Sequence, residues 1–165
     1  MTDSRGELVH WLGLTDANSA GFVHGGTIMK LCDEAGALAA VKHSRCRVVT
    51  AGMDRMTFLE RVEVGELLVL KASVNAVWRT SMEVGVRVTA ERPATGESRH
   101  TNTAYLTFVA LDEQGLPTQV PPLHIDEDDR DGRRREQDAQ LRRRNRLAER
   151  DEIRAAREAG RPAEV

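Results

Sequence analysis

The strongest constraint on the fold is a pair of neighbouring stretches in which apolar and polar residues alternate. From Ser81 to Glu91 every second residue is apolar, and Leu67 to Trp78 has the same period of two. This period is typical of strands with one buried face and one wet face, so we expect Glu83 and the other polar positions to face water. Only Arg79 and Thr80 separate the two stretches, which predicts a tight antiparallel hairpin.

Three more stretches have strand-like composition, and one has helical period. Glu7 to Leu12, Arg47 to Phe58 and His100 to Leu111 are rich in β-formers. Gly26 to Lys42 has apolar residues at three- and four-residue spacing, which predicts one long helix. This order of elements predicts an α+β fold in which an antiparallel sheet is wrapped around one long central helix.

The C-terminal part of the chain has a different composition. Residues 126–165 contain 12 Arg and 12 Asp or Glu, and two prolines in Val120 to Leu123 end the apolar part before them. We therefore predict a folded domain over residues 1–125 and a charged tail over residues 126–165. Helix formers from Arg133 to Ala159 predict a surface helix, with disorder as the alternative.

Composition narrows the classes of function. The formal net charge of −2 does not indicate a nucleic-acid or membrane surface, and no run approaches the roughly 20 apolar residues of a membrane span. The polar start lacks the apolar stretch of a signal peptide, so we expect a cytoplasmic protein. Cys32 and Cys46 have no metal-ligand spacing, which predicts two free thiols and no metal site.

Candidate chemistry is concentrated around the start of the predicted helix. Gly25 and Gly26 precede it, and the first helical amides can stabilise an oxyanion, although the glycines could merely cap the helix. Asp33 lies two turns further, where a partly apolar groove would suit a general base; the alternative is a solvated carboxylate. Asn18 could be a turn residue, and His24 could act as a base or hold the loop.

These residues belong to motifs that resemble a known family. The chain is similar to the cytosolic acyl-CoA hydrolase branch of the hot-dog thioesterases over about residues 7–123. The resemblance is carried by Asn18, His24-Gly25-Gly26, Asp33-Glu34-Ala35, Arg79-Thr80-Ser81-Met82-Glu83-Val84, His100 to Asp112 and Val120-Pro121-Pro122-Leu123.

The resemblance implies the hot-dog fold and hydrolysis of fatty acyl-CoA to free fatty acid and coenzyme A. It implies a homodimer as the active unit, commonly assembled into hexamers as trimers of dimers, with Asn18 and Asp33 contributed by opposite protomers. No cofactor is expected, because coenzyme A is part of the substrate. We expect the amides of Gly25 and Gly26 to hold the thioester oxygen and Asp33 to act on a water, or less favourably as a nucleophile.

The coenzyme A contacts are also expected from the resemblance. Arg79, Thr80 and Ser81 resemble the family's nucleotide-contacting region, and Arg99 or His100 could add positive charge near phosphates. A solvated turn is the alternative at Arg79. The balanced charges of the tail favour a solvated segment over one that contacts the phosphates.

Other classes of function remain open at this point. One is a non-catalytic acyl-CoA-binding or sensing protein, because a fold alone does not fix a function. Another is a hot-dog dehydratase or hydratase, which would use a His with a carboxylate in a different loop pattern. Nucleic-acid binding through residues 130–157 is a weaker alternative.

Overall fold

The computed structural model of the chain describes residues 4–159. These residues form five strands, two α-helices and one short 3-10 helix. The elements are β1 (Arg5–Trp11), the 3-10 helix (Leu14–Asp16), α1 (Gly25–Ser44), β2 (Arg47–Met53), β3 (Leu67–Val77), β4 (Ser81–Glu91), β5 (Ser98–Leu111) and α2 (Arg130–Ala159).

The five strands form one antiparallel sheet in the order β1-β3-β4-β5-β2. The predicted hairpin joins β3 to β4, and β1 and β2 are the two edges. Helix α1 contacts all five strands, and its apolar side chains form one core with those of the sheet. The predicted α+β arrangement of a sheet wrapped around one long helix is confirmed.

Local hydrogen bonds determine where α1 begins and ends. The Nδ1 atom of His24 accepts a hydrogen bond from the Gly26 amide at 3.0 Å and caps the first turn. At the other end Arg45 has φ 57°, and its amide donates to the Val41 carbonyl at 2.8 Å, so the chain turns out of the helix. The helix therefore extends slightly beyond the predicted Gly26 to Lys42.

Two glycines allow α1 to lie close to the sheet. A Cβ atom at Gly6 in β1 would lie 3.1 Å from the backbone nitrogen of Ala39 in α1. A Cβ atom at Gly36 would lie 2.9 Å from Cε2 of the buried Phe108 ring in β5. Since real Cβ contacts are longer, the approach of helix and sheet depends on these two positions having no side chain.

The strand containing Arg47 is shorter than predicted. It ends at Met53 instead of Phe58, and a bulge between Thr50 and Gly52 shifts its register against β5. Beyond the strand, the Asp54 amide donates to the Tyr105 carbonyl at 2.9 Å, and the Leu59 amide donates to the Thr101 carbonyl at 3.3 Å. We call the following segment, residues 54–66, the site loop.

The expectation that Glu83 faces water is wrong. Glu83 is fully buried, and the side-chain Nδ2 atom of Asn75 donates a hydrogen bond to its Oε1 at 3.3 Å. A bulge between Val74 and Ala76 disturbs the strict alternation of β3 and leaves Asn75 buried beside Glu83. A period of two cannot reveal a buried polar pair of this kind, because the pair depends on a local irregularity in the neighbouring strand.

The chain divides into two compact units, and the boundary falls between His124 and Ile125. In the second unit α2 begins at Arg130, three residues before the predicted start. Asp129 Oδ1 accepts the Gly132 amide at 2.7 Å and so caps this helix. Within residues 4–159, no helix has the length and apolar character needed to cross a membrane.

Candidate active site

Asp33 and Thr50 form the most specific polar contact between α1 and β2. The Thr50 hydroxyl donates to Asp33 Oδ1 at 2.5 Å, and the Asp33 side chain is half-buried. Thr50 lies where the β2 bulge begins, and bulges often redirect a side chain next to a functional site. The sequence analysis did not identify Thr50; the only local signal was Gly52, since glycine inside a strand often marks a bulge.

The surface around Asp33 is apolar and belongs to an unpaired sheet edge. Met29, about one turn before Asp33 on α1, is 41% exposed, and Val49 on β2 is 46% exposed. As an edge strand, β2 also presents backbone groups that no other strand within residues 4–159 satisfies. The carboxylate therefore lies on a surface with the composition of an interface.

Asn18 holds a tight turn with its side chain. Its Oδ1 accepts hydrogen bonds from the backbone amides of Ala20 at 2.9 Å and Phe22 at 3.2 Å. The backbone amide of Asn18 donates to the Phe22 carbonyl at 2.7 Å. These bonds orient the side-chain amide. In the part of the chain that the structure describes, the Nδ2 atom has no hydrogen-bond partner, so it can donate to a bound group.

The two glycines at the start of α1 differ in their free donors. The Gly26 amide already donates to His24 Nδ1, a bond that caps α1, and the role of His24 as a base stays a prediction. The Gly25 amide has no acceptor among residues 4–159. The Phe58 ring of the site loop packs against Gly25, since a Cβ there would lie 3.3 Å from its Cζ.

Gly25 and Asp33 are too far apart in one chain to act on the same carbonyl group. Eight residues separate them along α1, which corresponds to about 12 Å at 1.5 Å per residue. An oxyanion donor and a base must both lie about 3 Å from the reacting group. We call Asn18 with Gly25, and Asp33 with Thr50, the two candidate half-sites of one chain.

The hairpin predicted to contact coenzyme A lies at the same end of the sheet as Thr50. Ser81 pairs with Val109 of β5, and Val109 pairs with Val49 of β2. The backbone carbonyls of Arg79 and Thr80 are satisfied by neighbouring amides, while the Arg79 side chain is exposed. The hairpin is thus a rigid, positively charged corner on the Asp33 side.

Arg99 and His100 lie at the other end of β5. Eight residues separate His100 from Phe108, the partner of Thr50, which is about 27 Å along a strand. His100 Nε2 contacts the Thr103 hydroxyl at 3.3 Å, and its buried Nδ1 has no partner in the described residues. The structure does not bring this pair together with the hairpin within one chain.

The Arg99 guanidinium is engaged inside the chain. It forms a bidentate pair with Glu66, with distances of 2.6 Å to Oε1 and 2.8 Å to Oε2. The hydrogen bond from Arg99 is the main cause that lowers the pKa of Glu66, and the Glu63 amide contributes. This geometry favours a structural role for Arg99, and its contact with a phosphate stays a prediction.

Both cysteines are free thiols, as predicted. Burial raises the pKa of the Cys32 thiol to about 12, and the neighbouring Asp33 charge adds to the rise. Cys32 therefore stays protonated and is not a nucleophile. Over residues 4–159, no group of three His, Cys, Asp or Glu side chains could hold a metal ion.

The fold has close structural relatives of known architecture. A solved apo hexameric acyl-CoA thioesterase has a TM-score of 0.83 and 36% identity, covering 89% of this chain and 93% of that one. An acyl-CoA hydrolase from Staphylococcus aureus, solved with butyryl coenzyme A and coenzyme A, has a TM-score of 0.84 and 31% identity, covering 96% of each chain. The predicted hot-dog fold is confirmed.

The sequence comparisons agree with the structural ones. The thioesterase superfamily model matches residues 20–97. The cytosolic acyl coenzyme A thioester hydrolase of Rattus norvegicus is 33% identical over 123 residues, which are 73% of this chain and 32% of that protein. The chain belongs to the thioesterase superfamily, as its motifs predicted, and it spans about a third of the length of the rat relative.

Alanine variants of the Staphylococcus enzyme provide a further correspondence. Structures of that enzyme exist with alanine in place of an asparagine, an aspartate and a threonine. Its asparagine and aspartate are 15 residues apart, and its aspartate and threonine are 17 apart. Asn18, Asp33 and Thr50 have the same two spacings here.

Proposed function

We propose that this chain hydrolyses fatty acyl-CoA thioesters to free fatty acid and coenzyme A. The observation that carries the proposal is the Asp33 carboxylate, half-buried in an apolar surface and held by the Thr50 hydroxyl. Butyryl coenzyme A in the Staphylococcus relative and the family membership of the chain support an acyl-CoA substrate. The shared spacing of Asn18, Asp33 and Thr50 supports the same residues as the reactive set.

In the proposed mechanism Asp33 is a general base. It takes a proton from a water whose oxygen attacks the thioester carbonyl carbon, and the negative charge moves to the carbonyl oxygen. The free Gly25 amide, at the positive end of α1, stabilises this oxyanion. The carbon–sulfur bond then breaks, and the proton held by Asp33 passes to the departing thiolate. Thr50 keeps one carboxylate oxygen fixed while the other faces the water.

We propose a homodimer as the active unit, because each chain carries two separated half-sites. Asn18 and Gly25 of one protomer would meet Asp33 and Thr50 of the other, giving two equivalent sites per dimer. The exposed apolar residues around Asp33 and the open β2 edge support association at this surface. The Asn18 Nδ2 atom would then hold the water or the carbonyl of the partner's site.

Substrate orientation follows from the position of the hairpin. Arg79 is exposed at the end of the sheet nearest Thr50, and Thr80 and Ser81 add hydroxyl groups. We propose that this corner binds the phosphates of coenzyme A, because guanidinium and hydroxyl groups suit phosphate oxygens. The thioester would then lie on the Asp33 side.

We further propose a homohexamer and a cytoplasmic location. The hexameric state of one solved relative supports the assembly, and a trimer of dimers would retain the paired half-sites. The cytosolic rat relative supports the location.

A thiol-release assay over acyl-CoAs from acetyl to palmitoyl tests the proposal. We expect release from at least part of the panel, and Asp33→Asn should abolish most turnover while circular dichroism and assembly size stay unchanged. Release from no acyl-CoA, with binding retained, would instead support a non-catalytic acyl-CoA-binding protein. Full activity of Asp33→Asn would refute the assigned base.

A further inference from the structure

A continuous set of contacts leads from the core of the sheet to the Asn18 turn. We propose that Arg61 is a positioning residue for Asn18. The Glu66–Arg99 ion pair holds the Arg61 backbone, and the Arg61 side chain holds Phe22, which orients the Asn18 side-chain amide. The inference rests on the proposed function, because it concerns the orientation of a residue assigned to that reaction. Each contact along this path is a hydrogen bond, an ion pair or a cation–π contact.

The first step is the ion pair itself. The Glu66 side chain is only 5% exposed, and both of its oxygens accept from Arg99. The Glu63 amide also donates to Glu66 Oε2, at 2.9 Å. A carboxylate with three donors and little exposure has a single low-energy orientation, so Arg99 is held rigidly.

The second step joins this pair to the site loop. Arg99 Nη2 donates to the Arg61 carbonyl at 2.8 Å, and the next carbonyl, that of Val62, accepts the Val23 amide at 2.9 Å. Val62 is buried, so the backbone on both sides of this peptide is fixed. The Cα atom of Arg61 therefore has a defined position although its side chain is exposed.

The third step is the contact of Arg61 with Phe22. The guanidinium carbon lies 4.7 Å from the centroid of the Phe22 ring, which is the geometry of a cation–π interaction. The backbone of Phe22 binds Asn18 twice, through its amide to Oδ1 and through its carbonyl to the Asn18 amide. Among residues 4–159, the Phe22 and Ala20 amides are the two donors to Asn18 Oδ1, so holding the Phe22 ring restrains one of the groups that orient the Asn18 side chain.

The turn needs such a restraint because it has little packing of its own. Ser19, Ala20 and Gly21 are exposed, and Gly21 has φ 85°, a conformation in which glycine adds no side-chain contact. Without Arg61 the turn would sample other arrangements, and Nδ2 of Asn18 would point toward the reacting group less often. A 1 Å displacement of a positioning group costs up to about a hundredfold in rate.

The test compares Arg61→Met with the matched control Arg92→Met. Methionine keeps an aliphatic stem but removes the charge over the Phe22 ring. Arg92 also approaches Glu66, with 3.5 Å from its Nε to Oε1, but among the described residues it forms no hydrogen bond or ring contact with Arg61 or Phe22. We expect Arg61→Met to lower kcat about two- to fivefold with KM nearly unchanged, Arg61→Lys to recover part of the loss, and Arg92→Met to retain kcat.

A double-mutant cycle separates positioning from general support. If Arg61 acts through Asn18, Arg61→Met should cause no further loss of kcat in the Asn18→Ala variant. An equal loss in both backgrounds would overturn the proposal. Assembly size and circular dichroism of every variant identify chains that fail to fold.

Pulsed hydrogen exchange followed by mass spectrometry tests the coupling without any activity. The Ala20 and Phe22 amides, both bonded to Asn18 Oδ1, should exchange faster in Arg61→Met than in the wild type or in Arg92→Met. Unchanged exchange would refute the coupling. If the wild type releases no thiol but exchange responds, the proposed function fails while the structural coupling stands.

Discussion

Thr50 donates a hydrogen bond to Asp33 across the gap between β2 and α1, at 2.5 Å. The bond joins an edge strand to the central helix at the place where the strand bulges. It uses one carboxylate oxygen and leaves the other available on a surface rich in apolar side chains. A carboxylate in this setting has a fixed direction, which a base acting on one water requires.

We predict that Thr50→Val lowers kcat by about 10- to 100-fold, because a hydrogen bond to a charged group contributes about 1.5–3 kcal/mol. Valine has nearly the same shape as threonine, so folding and assembly should not change. Thiol release under saturating acyl-CoA measures the effect. Thr50→Ser keeps the hydroxyl and should retain most activity; an equal loss in both variants would mean that the hydroxyl is not the relevant group.

The long helix and the β3–β4 hairpin were accessible from the sequence because each depends on local periodicity. The alternation from Ser81 to Glu91 and the helical spacing after Gly26 come from which faces are buried, and burial leaves a pattern in the residues themselves. The same reasoning failed at Glu83, where a bulge in β3 places a polar partner beside it. Irregularities of the backbone leave no such pattern.

The candidate site was accessible only in part, for a similar reason. Asn18 and Asp33 are marked by motifs near a helix start, whereas Thr50 is one threonine in an ordinary strand. Its contact with Asp33 spans 17 residues, and the Glu66–Arg99 contact spans 33. Pairings of this kind depend on the register of distant strands, so Arg99 resembled a free cation in the sequence and is a paired one in the structure.

Gly36→Ala should destabilise the fold. The added Cβ would lie 2.9 Å from Cε2 of Phe108, in a core where overpacking costs about 1–3 kcal/mol, more than the roughly 1 kcal/mol that alanine gains over glycine in a helix. A lower urea midpoint at fixed protein concentration would show this. Gly13→Ala is the control, because its nearest contact would be an ordinary 3.9 Å; equal stability of Gly36→Ala and wild type would contradict the packing argument.

Glu66 should make stability depend on pH in the acid range. Its pKa in the folded chain is lowered from the ordinary value of 4.5, mainly by the hydrogen bond from Arg99. A lowered folded pKa gives stability that is present above the unfolded pKa and is lost as pH falls through the folded one. The urea concentration at the unfolding midpoint should therefore decrease as the pH is lowered below about 4.5, the ordinary value from which this pKa is lowered.

Glu66→Gln provides the comparison for that pH series. Glutamine keeps the shape and can accept one bond from Arg99, but it carries no charge. We expect a lower midpoint at pH 7, because Arg99 loses its counter-charge, and a weaker decline toward acid. A decline as steep as that of the wild type would assign the acid sensitivity to other carboxylates.

Mixing two strongly impaired variants should restore activity if each site combines two protomers. Asn18→Ala keeps Asp33, and Asp33→Ala keeps Asn18, so a mixed dimer has one site with both residues and one with neither. Random pairing at equal amounts makes about half of the dimers mixed, each with one of its two sites intact, so about a quarter of wild-type activity should return. The variants are refolded together and assayed by thiol release, with each variant refolded alone as the control. No recovery in assemblies of normal size would mean that Asn18 and Asp33 do not meet across a dimer. Gly25 and Asp33, about 12 Å apart along α1, would then not act on one carbonyl group through a dimer either.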